Sequence, residues 1–86
     1  MRKTKSELPS DHKIIVVDDE RGILDSLSVI INRLGYRYTG VNNPLEAIET
    51  IKREDFDLLV LDFLMEPLQG DEVVREIRKF NKDIYI

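Results

Sequence analysis

The chain has 86 residues, with 13 basic and 17 acidic side chains, a formal net charge of −4 and no cysteine. Such a length holds one domain at most. The acidic balance argues against direct nucleic-acid binding, which needs clustered Lys and Arg, and the missing cysteine excludes disulfides and thiolate metal sites. No apolar run approaches the roughly 18 residues of a membrane span, and no apolar segment follows Arg2, Lys3 and Lys5 as a secretory signal requires. The expectation is therefore a cytoplasmic protein without a membrane partner.

Residues 1–12 read as a polar, disordered lead-in that ends on the single histidine, His12, because unanchored termini are rarely ordered. From Lys13 onward 10 basic residues face 15 acidic ones, so the folded part is more acidic than the lead-in. Lys13-Ile14-Ile15-Val16-Val17 is a β-branched run, apolar on both faces, and it stops at Asp18-Asp19. That pattern predicts a strand buried in a parallel sheet. Ile23, Leu24, Leu27, Ile30, Ile31 and Leu34 follow at spacings of three and four, the stripe of an amphipathic helix, and Gly35 stands where a helix C-cap glycine belongs.

Residues 36–41 are aromatic and β-branched but more polar, and predict an edge strand. Asn43-Pro44-Leu45-Glu46 is a helix start: Asn43 can cap, Pro44 suits the first helical position, and Glu46 completes a capping-box spacing. Leu45, Ile48 and Ile51 are expected as its buried stripe. Residues 56–61 form the most apolar strand, ending at Asp62. After a break at residues 67–70, Val73, Val74, Ile77 and Phe80 predict a third helix, and residues 84–86 begin a fourth strand. The order β-α-β-α-β-α-β implies a parallel sheet with right-handed crossovers.

In open α/β sheets, ligands collect outside the carboxyl ends of the strands. If the second strand lies outside the first, strands one and three are neighbours, and Asp18, Asp19 and Asp62 meet on one rim. Like charges held together disfavour the ionised form, and a divalent cation removes that cost. Oxygen-only ligands without His or Cys favour Mg²⁺. An aspartate after a strand is also an ordinary capping residue. The constellation is more specific than its members: an apolar strand ending in an acidic pair, then another ending in a lone Asp 43 residues later.

Ile-Ile-Val-Val-Asp18-Asp19-Glu20 and Leu-Leu-Val-Leu-Asp62-Phe-Leu-Met65, with Gly70 eight residues after Asp62, resemble the receiver domain of two-component response regulators over residues 13–86. The resemblance implies a flavodoxin-like sheet of order 2-1-3-4 with helices on both faces. It also implies that Asp62 accepts a phosphoryl group from a phosphohistidine of a sensor histidine kinase or phosphotransfer protein. Mg²⁺ would be held by Asp19, Asp62 and the backbone carbonyl of Leu64, with Asp18 helping mostly through water. An output domain would read the result.

Two departures from the family pattern matter. Glu66 occupies the usual proline position and Pro67 comes one later, which predicts an altered turn and an added negative charge near the site, with Glu66 most simply a solvent-facing loop residue. The chain also ends in its expected fourth strand, so the hydroxyl residue after strand four and the lysine after strand five of the family are not in this sequence. Losing one positioned charge stabiliser costs about 10²–10³ in rate, so slow or absent self-phosphorylation is expected. The open edge of strand four would invite pairing, which frames an alternative: a partial receiver that self-associates or joins a second fragment without phosphotransfer. Phe63 and Met65 read as loop anchors or as kinase-recognition groups. An aspartate-based phosphatase is disfavoured because the acidic residues after strand one are adjacent rather than Asp-x-Asp, and the same turn lacks the glycine-rich loop of a nucleotide site.

Overall fold

The computed structural model describes residues 12–86. Strands β1 (Lys13–Val17), β2 (Arg37–Val41) and β3 (Leu58–Leu61) alternate with helices α1 (Arg21–Arg33), α2 (Pro44–Arg53) and α3 (Gly70–Arg78). The sheet is parallel throughout, in the order β2-β1-β3. The central position of β1 explains its unbroken apolar run: Ile15 and Val17 face one layer, Ile14 and Val16 the other.

The two layers are unequal. On one face Ile15, Val17 and Leu59 pack with Ala47, Ile48 and Ile51 of α2, Val73 and Ile77 of α3, and Phe56, Met65 and Ile84. On the other, Ile14 and Val16 pack with Leu24 and Ile31 of α1, joined by the partly buried Leu27, Tyr36, Tyr38 and Leu58. Burying a Leu- or Ile-sized side chain contributes about 1.5–3 kcal/mol, so the first layer carries most of the stability.

Several expectations change at the level of single residues. Only Leu24 and Ile31 of the α1 stripe are fully buried, while Ile23, Ile30 and Leu34 are 42–57% exposed, because α1 alone covers its face of the sheet among the described residues. Leu45 is half exposed rather than part of the buried stripe of α2, and Phe80 lies beyond the end of α3. Strand β3 starts at Leu58, with Phe56 buried ahead of it, and β2 starts at Arg37, after Tyr36. The fourth strand is reduced to one parallel bridge, Tyr85 to Leu58, on the outer side of β3. Asn81 Oδ1 accepts the amides of Asp83 and Ile84 at 3.0 and 3.1 Å in a turn just before the bridge, and the next bond of a parallel ladder after Tyr85 would need a residue beyond Ile86, the last of this sequence. The bridge lies where an order of 2-1-3-4 requires it.

The helix ends follow their chemistry. Asn43 Oδ1 accepts the amides of Leu45 and Glu46 at 2.8 and 3.3 Å, whereas the return bond of a capping box is not formed there. At the start of α3 the Gln69 amide donates to Glu72 Oε1 at 2.9 Å, while the Glu72 amide donates to the Gln69 carbonyl at 3.0 Å. At the end of α1, Gly35 takes a φ of 90°. Its amide and that of Tyr36 donate to the carbonyls of Asn32 and Ile31, the paired bonds of a Schellman motif.

His12 was expected in the disordered lead-in; residues 1–11 of that segment lie outside the described residues. His12 itself is exposed, but its carbonyl accepts the amide of Arg37 at 2.9 Å, and its Nδ1 lies 3.6 Å from Asp57 Oδ2.

Candidate functional site

Parallel pairing brings the ends of β1 and β3 to one level. Val17 is in register with Val41 on one side and Leu61 on the other. The ladder runs one step further: Asp18 donates its amide to Val41, and Asp62 donates to the carbonyl of Val17 at 3.0 Å. Both aspartates are thus fixed by backbone bonds at the carboxyl edge of the sheet. One ligand oxygen from each of Asp18, Asp19 and Asp62 lies within 4.8 Å of the others. Asp18 and Asp62 are half-buried, and Asp19 is exposed.

The two half-buried carboxylates are each steadied by a backbone amide two residues on. Asp18 Oδ1 accepts the Glu20 amide at 2.9 Å, at the entry to α1. Asp62 Oδ1 accepts the Leu64 amide at 3.1 Å. Among the described residues none of the three carboxylates takes part in a salt bridge. The donor set is hard oxygen alone, with the only histidine at the opposite end of β1, beside Asp57. Such a set suits Mg²⁺, which typically takes one or two carboxylates, keeps several waters and shares phosphate oxygens.

The loop after Asp62 is anchored inward by Met65, 3% exposed within the larger core, while Phe63 and Leu64 are 56% and 78% exposed. Of the two expected anchors, Met65 therefore fills that role through its side chain. Phe63 instead lies against Gly70, and its carbonyl accepts the Gly70 amide at 3.0 Å. Glu66 is exposed, outside the convergent group, and its bond to Pro67 is cis.

Two contributors escaped the sequence reading. The Glu72 carboxylate bonded to the Gln69 amide carries little sequence signal because Gln is a weaker cap than Ser, Thr, Asp or Asn, although the spacing to Glu is visible. Tyr38 donates its hydroxyl to the carbonyl of Leu24 at 2.8 Å and ties β2 to α1. Burial, with Asp25 nearby, pushes its phenol above the ordinary value of 10.0. The signal was Gly40 two residues on: a Cβ there would run into the Tyr38 ring, so only glycine leaves the ring room on the strand face.

Two clefts lie elsewhere. A cleft of about 390 Å³ separates α2 and α3 over Ile48 and Leu68, and another of about 540 Å³ lies at the amino end of the sheet between His12 and Tyr85. The aspartates border neither, and with Asp19 exposed and Asp18 and Asp62 half-buried the acidic site is a rim open to solvent. Among the described residues no helix is long and apolar enough to cross a membrane.

A three-layered, parallel α/β domain with an acidic carboxyl rim is the flavodoxin-like arrangement. Residues 14–86 match the response regulator receiver domain, and the chain belongs to that family. It is 37% identical over 71 residues to the transcriptional regulatory protein ZraR of Klebsiella oxytoca, covering 83% of this chain and 16% of the relative. Response regulator MprA of Mycobacterium leprae is 38% identical over 74 residues, 86% of this chain and 32% of the relative. Among solved structures, response regulator TrrA of Thermotoga maritima in complex with Mg²⁺–BeF superposes with a TM-score of 0.80 at 37% identity, covering 85% of this chain and 64% of that one. TrrA in complex with the histidine kinase ThkA gives the same score and identity, over 85% and 63% of the two chains. The chain thus spans about a sixth to a third of these two curated relatives' length.

Proposed function

We propose that the chain is a phosphoacceptor module of a two-component phosphorelay, taking a phosphoryl group onto Asp62 from a phosphohistidine of a sensor histidine kinase or phosphotransfer protein. The observation that carries this reading is the convergence of Asp18, Asp19 and Asp62 within 4.8 Å at the carboxyl ends of adjacent parallel strands. Their oxygens fit Mg²⁺, held by Asp19, Asp62 and the carbonyl of Leu64, with Asp18 acting mostly through water. When bound, the ion supplies charge neutralisation for the phosphate oxygens. The TrrA complexes, one with Mg²⁺–BeF and one with a histidine kinase, support the metal and the partner class.

The residues themselves position and attack. The Leu64 amide holds Oδ1 of Asp62, and among the described residues Oδ2 has no backbone donor. A carboxylate oxygen attacks phosphorus, the P–N bond of the phosphohistidine breaks, and the electron pair stays on the imidazole nitrogen, which is protonated from solvent. Asp62 then carries an acyl phosphate, so the chain holds the group rather than turning over a substrate. An open rim suits a macromolecular donor better than an enclosed small ligand. The same reading places the module in the cytoplasm and gives it an output domain as the reader of its state. No observation favours a self-associating half-domain over it.

The test is mass spectrometry of the 86-residue chain after prolonged incubation with acetyl phosphate or a phosphohistidine protein, with Mg²⁺ or with EDTA. The expected result is slow addition of one phosphoryl group that needs Mg²⁺ and disappears in Asp62→Asn. Modification that persists in Asp62→Asn, or that ignores the metal, would refute the assignment.

A further inference from the structure

We infer that Gly70 is a positioning residue for the acceptor: its missing side chain lets the first turn of α3 close directly onto the residue beside Asp62. This rests on the reading of the acidic rim given above. The loop from Asp62 to Gly70 is held at its start by the Asp62 amide on Val17, in its middle by buried Met65, and at its end by the Gly70 amide on the Phe63 carbonyl. That last bond closes the loop back on itself.

The closure leaves no space. A Cβ at Gly70 would lie 2.7 Å from the Phe63 Cα and 2.6 Å from its Cδ1. The ring is half exposed and can swing away, but the Cα is backbone, bonded through one peptide to Asp62. Restoring van der Waals distance therefore moves the acceptor loop. Gly70 is itself buried at the start of α3, whose end is held by the Gln69 amide on Glu72 Oε1 and by the Glu72 and Val73 amides on the Gln69 carbonyl, so the helix end resists giving way. Functional groups must be held within about 0.5 Å of their working geometry, and a misplacement of about 1 Å can cost about 10²-fold. Gly22 provides an internal control. It too lies in the first turn of its helix, at the second position where Gly70 holds the first, but a Cβ there meets nothing within 4 Å.

The experiment compares wild type, Gly22→Ala and Gly70→Ala by Mg²⁺ titration followed on backbone amides by NMR, with phosphorylation rate as a second readout. Gly70→Ala should shift the metal-free amide signals of Asp62 and Leu64, weaken Mg²⁺ at least tenfold and slow phosphorylation by ten- to a hundredfold, while Gly22→Ala changes none of these. Because Gly70→Ala can also fail to fold, the wild type supplies a reciprocal measurement. If closure favours the metal-competent rim, the metal must favour closure by the same factor, so saturating Mg²⁺ should slow hydrogen exchange of the Gly70 amide. A folded Gly70→Ala with unmoved Asp62 and Leu64 signals and wild-type Mg²⁺ affinity overturns the inference. So does an unchanged Gly70 exchange rate in a wild type that binds Mg²⁺. A wild type that binds no Mg²⁺ would refute the metal reading instead, and the metal-free amide signals of Gly70→Ala would then decide the positioning role.

Discussion

Replacing Asp19 by Asn should make the metal-free fold more stable and reduce its response to Mg²⁺. Asp19 is the cleanest member of the acidic group to change: it is exposed, and unlike Asp18 and Asp62 it accepts no hydrogen bond among the described residues. The three carboxylates offer oxygens within 4.8 Å of one another, and two unit charges at about that separation repel by about 1 kcal/mol at the dielectric of water and by roughly 3.5 kcal/mol at an effective dielectric of about 20. For an exposed carboxylate the lower figure governs, and its two partners together bring the relief to about 2 kcal/mol at low salt. Against this stands the loss of a negative charge just before α1, where the helix dipole favours one by about 0.3–1 kcal/mol. The net expectation is a gain of about 1 kcal/mol, which for a domain of this size raises the midpoint by about 4–8 °C. Urea and thermal unfolding in EDTA at low ionic strength measure the gain, which should shrink at high salt. In Mg²⁺ the order should reverse, because stabilisation by a ligand follows its affinity for the folded state. A variant that is less stable than wild type in EDTA would show that the rim carries no repulsion, and the electrostatic argument for a cation would fall.

Tyr38→Phe removes the hydroxyl bonded to Leu24 and should cost about 1 kcal/mol in urea unfolding. The phenol is held above its ordinary value of 10.0 in the fold, so the folded state keeps its proton longer than the unfolded chain. The contribution is fully present below pH 10.0 and is lost as pH rises through the folded value. The variant should lack that component of the alkaline loss, as pH-dependent unfolding can check. Asn43→Ala removes the acceptor for the Leu45 and Glu46 amides and should cost about 0.5–2 kcal/mol, with the earliest hydrogen-exchange loss at the start of α2. Ile77→Ala, at a fully buried position in the larger core, should cost about 2–5 kcal/mol. An equilibrium cost under 1 kcal/mol would mean that α3 is not docked as described.

The readable part of this protein was its local chemistry. A β-branched run apolar on both faces marks a central parallel strand, because only a strand covered by two layers can bury successive side chains. Asn43-Pro44 and Gly35 mark helix ends, because capping and positive φ each need a particular residue. An acidic pair and a lone Asp at two strand ends mark the site, because strand ends are where a sheet presents groups to a ligand. Tertiary structure decided what depends on neighbours. It left Ile23, Ile30 and Leu34 exposed, since periodicity reports which face is apolar but not how much of it is covered. It set the single bridge at Tyr85 on the outer side of β3, directly after a side-chain turn at Asn81. And it brought the oxygens of Asp62 and of the distant pair Asp18 and Asp19 to within 4.8 Å of one another, through the register of β1 against β3.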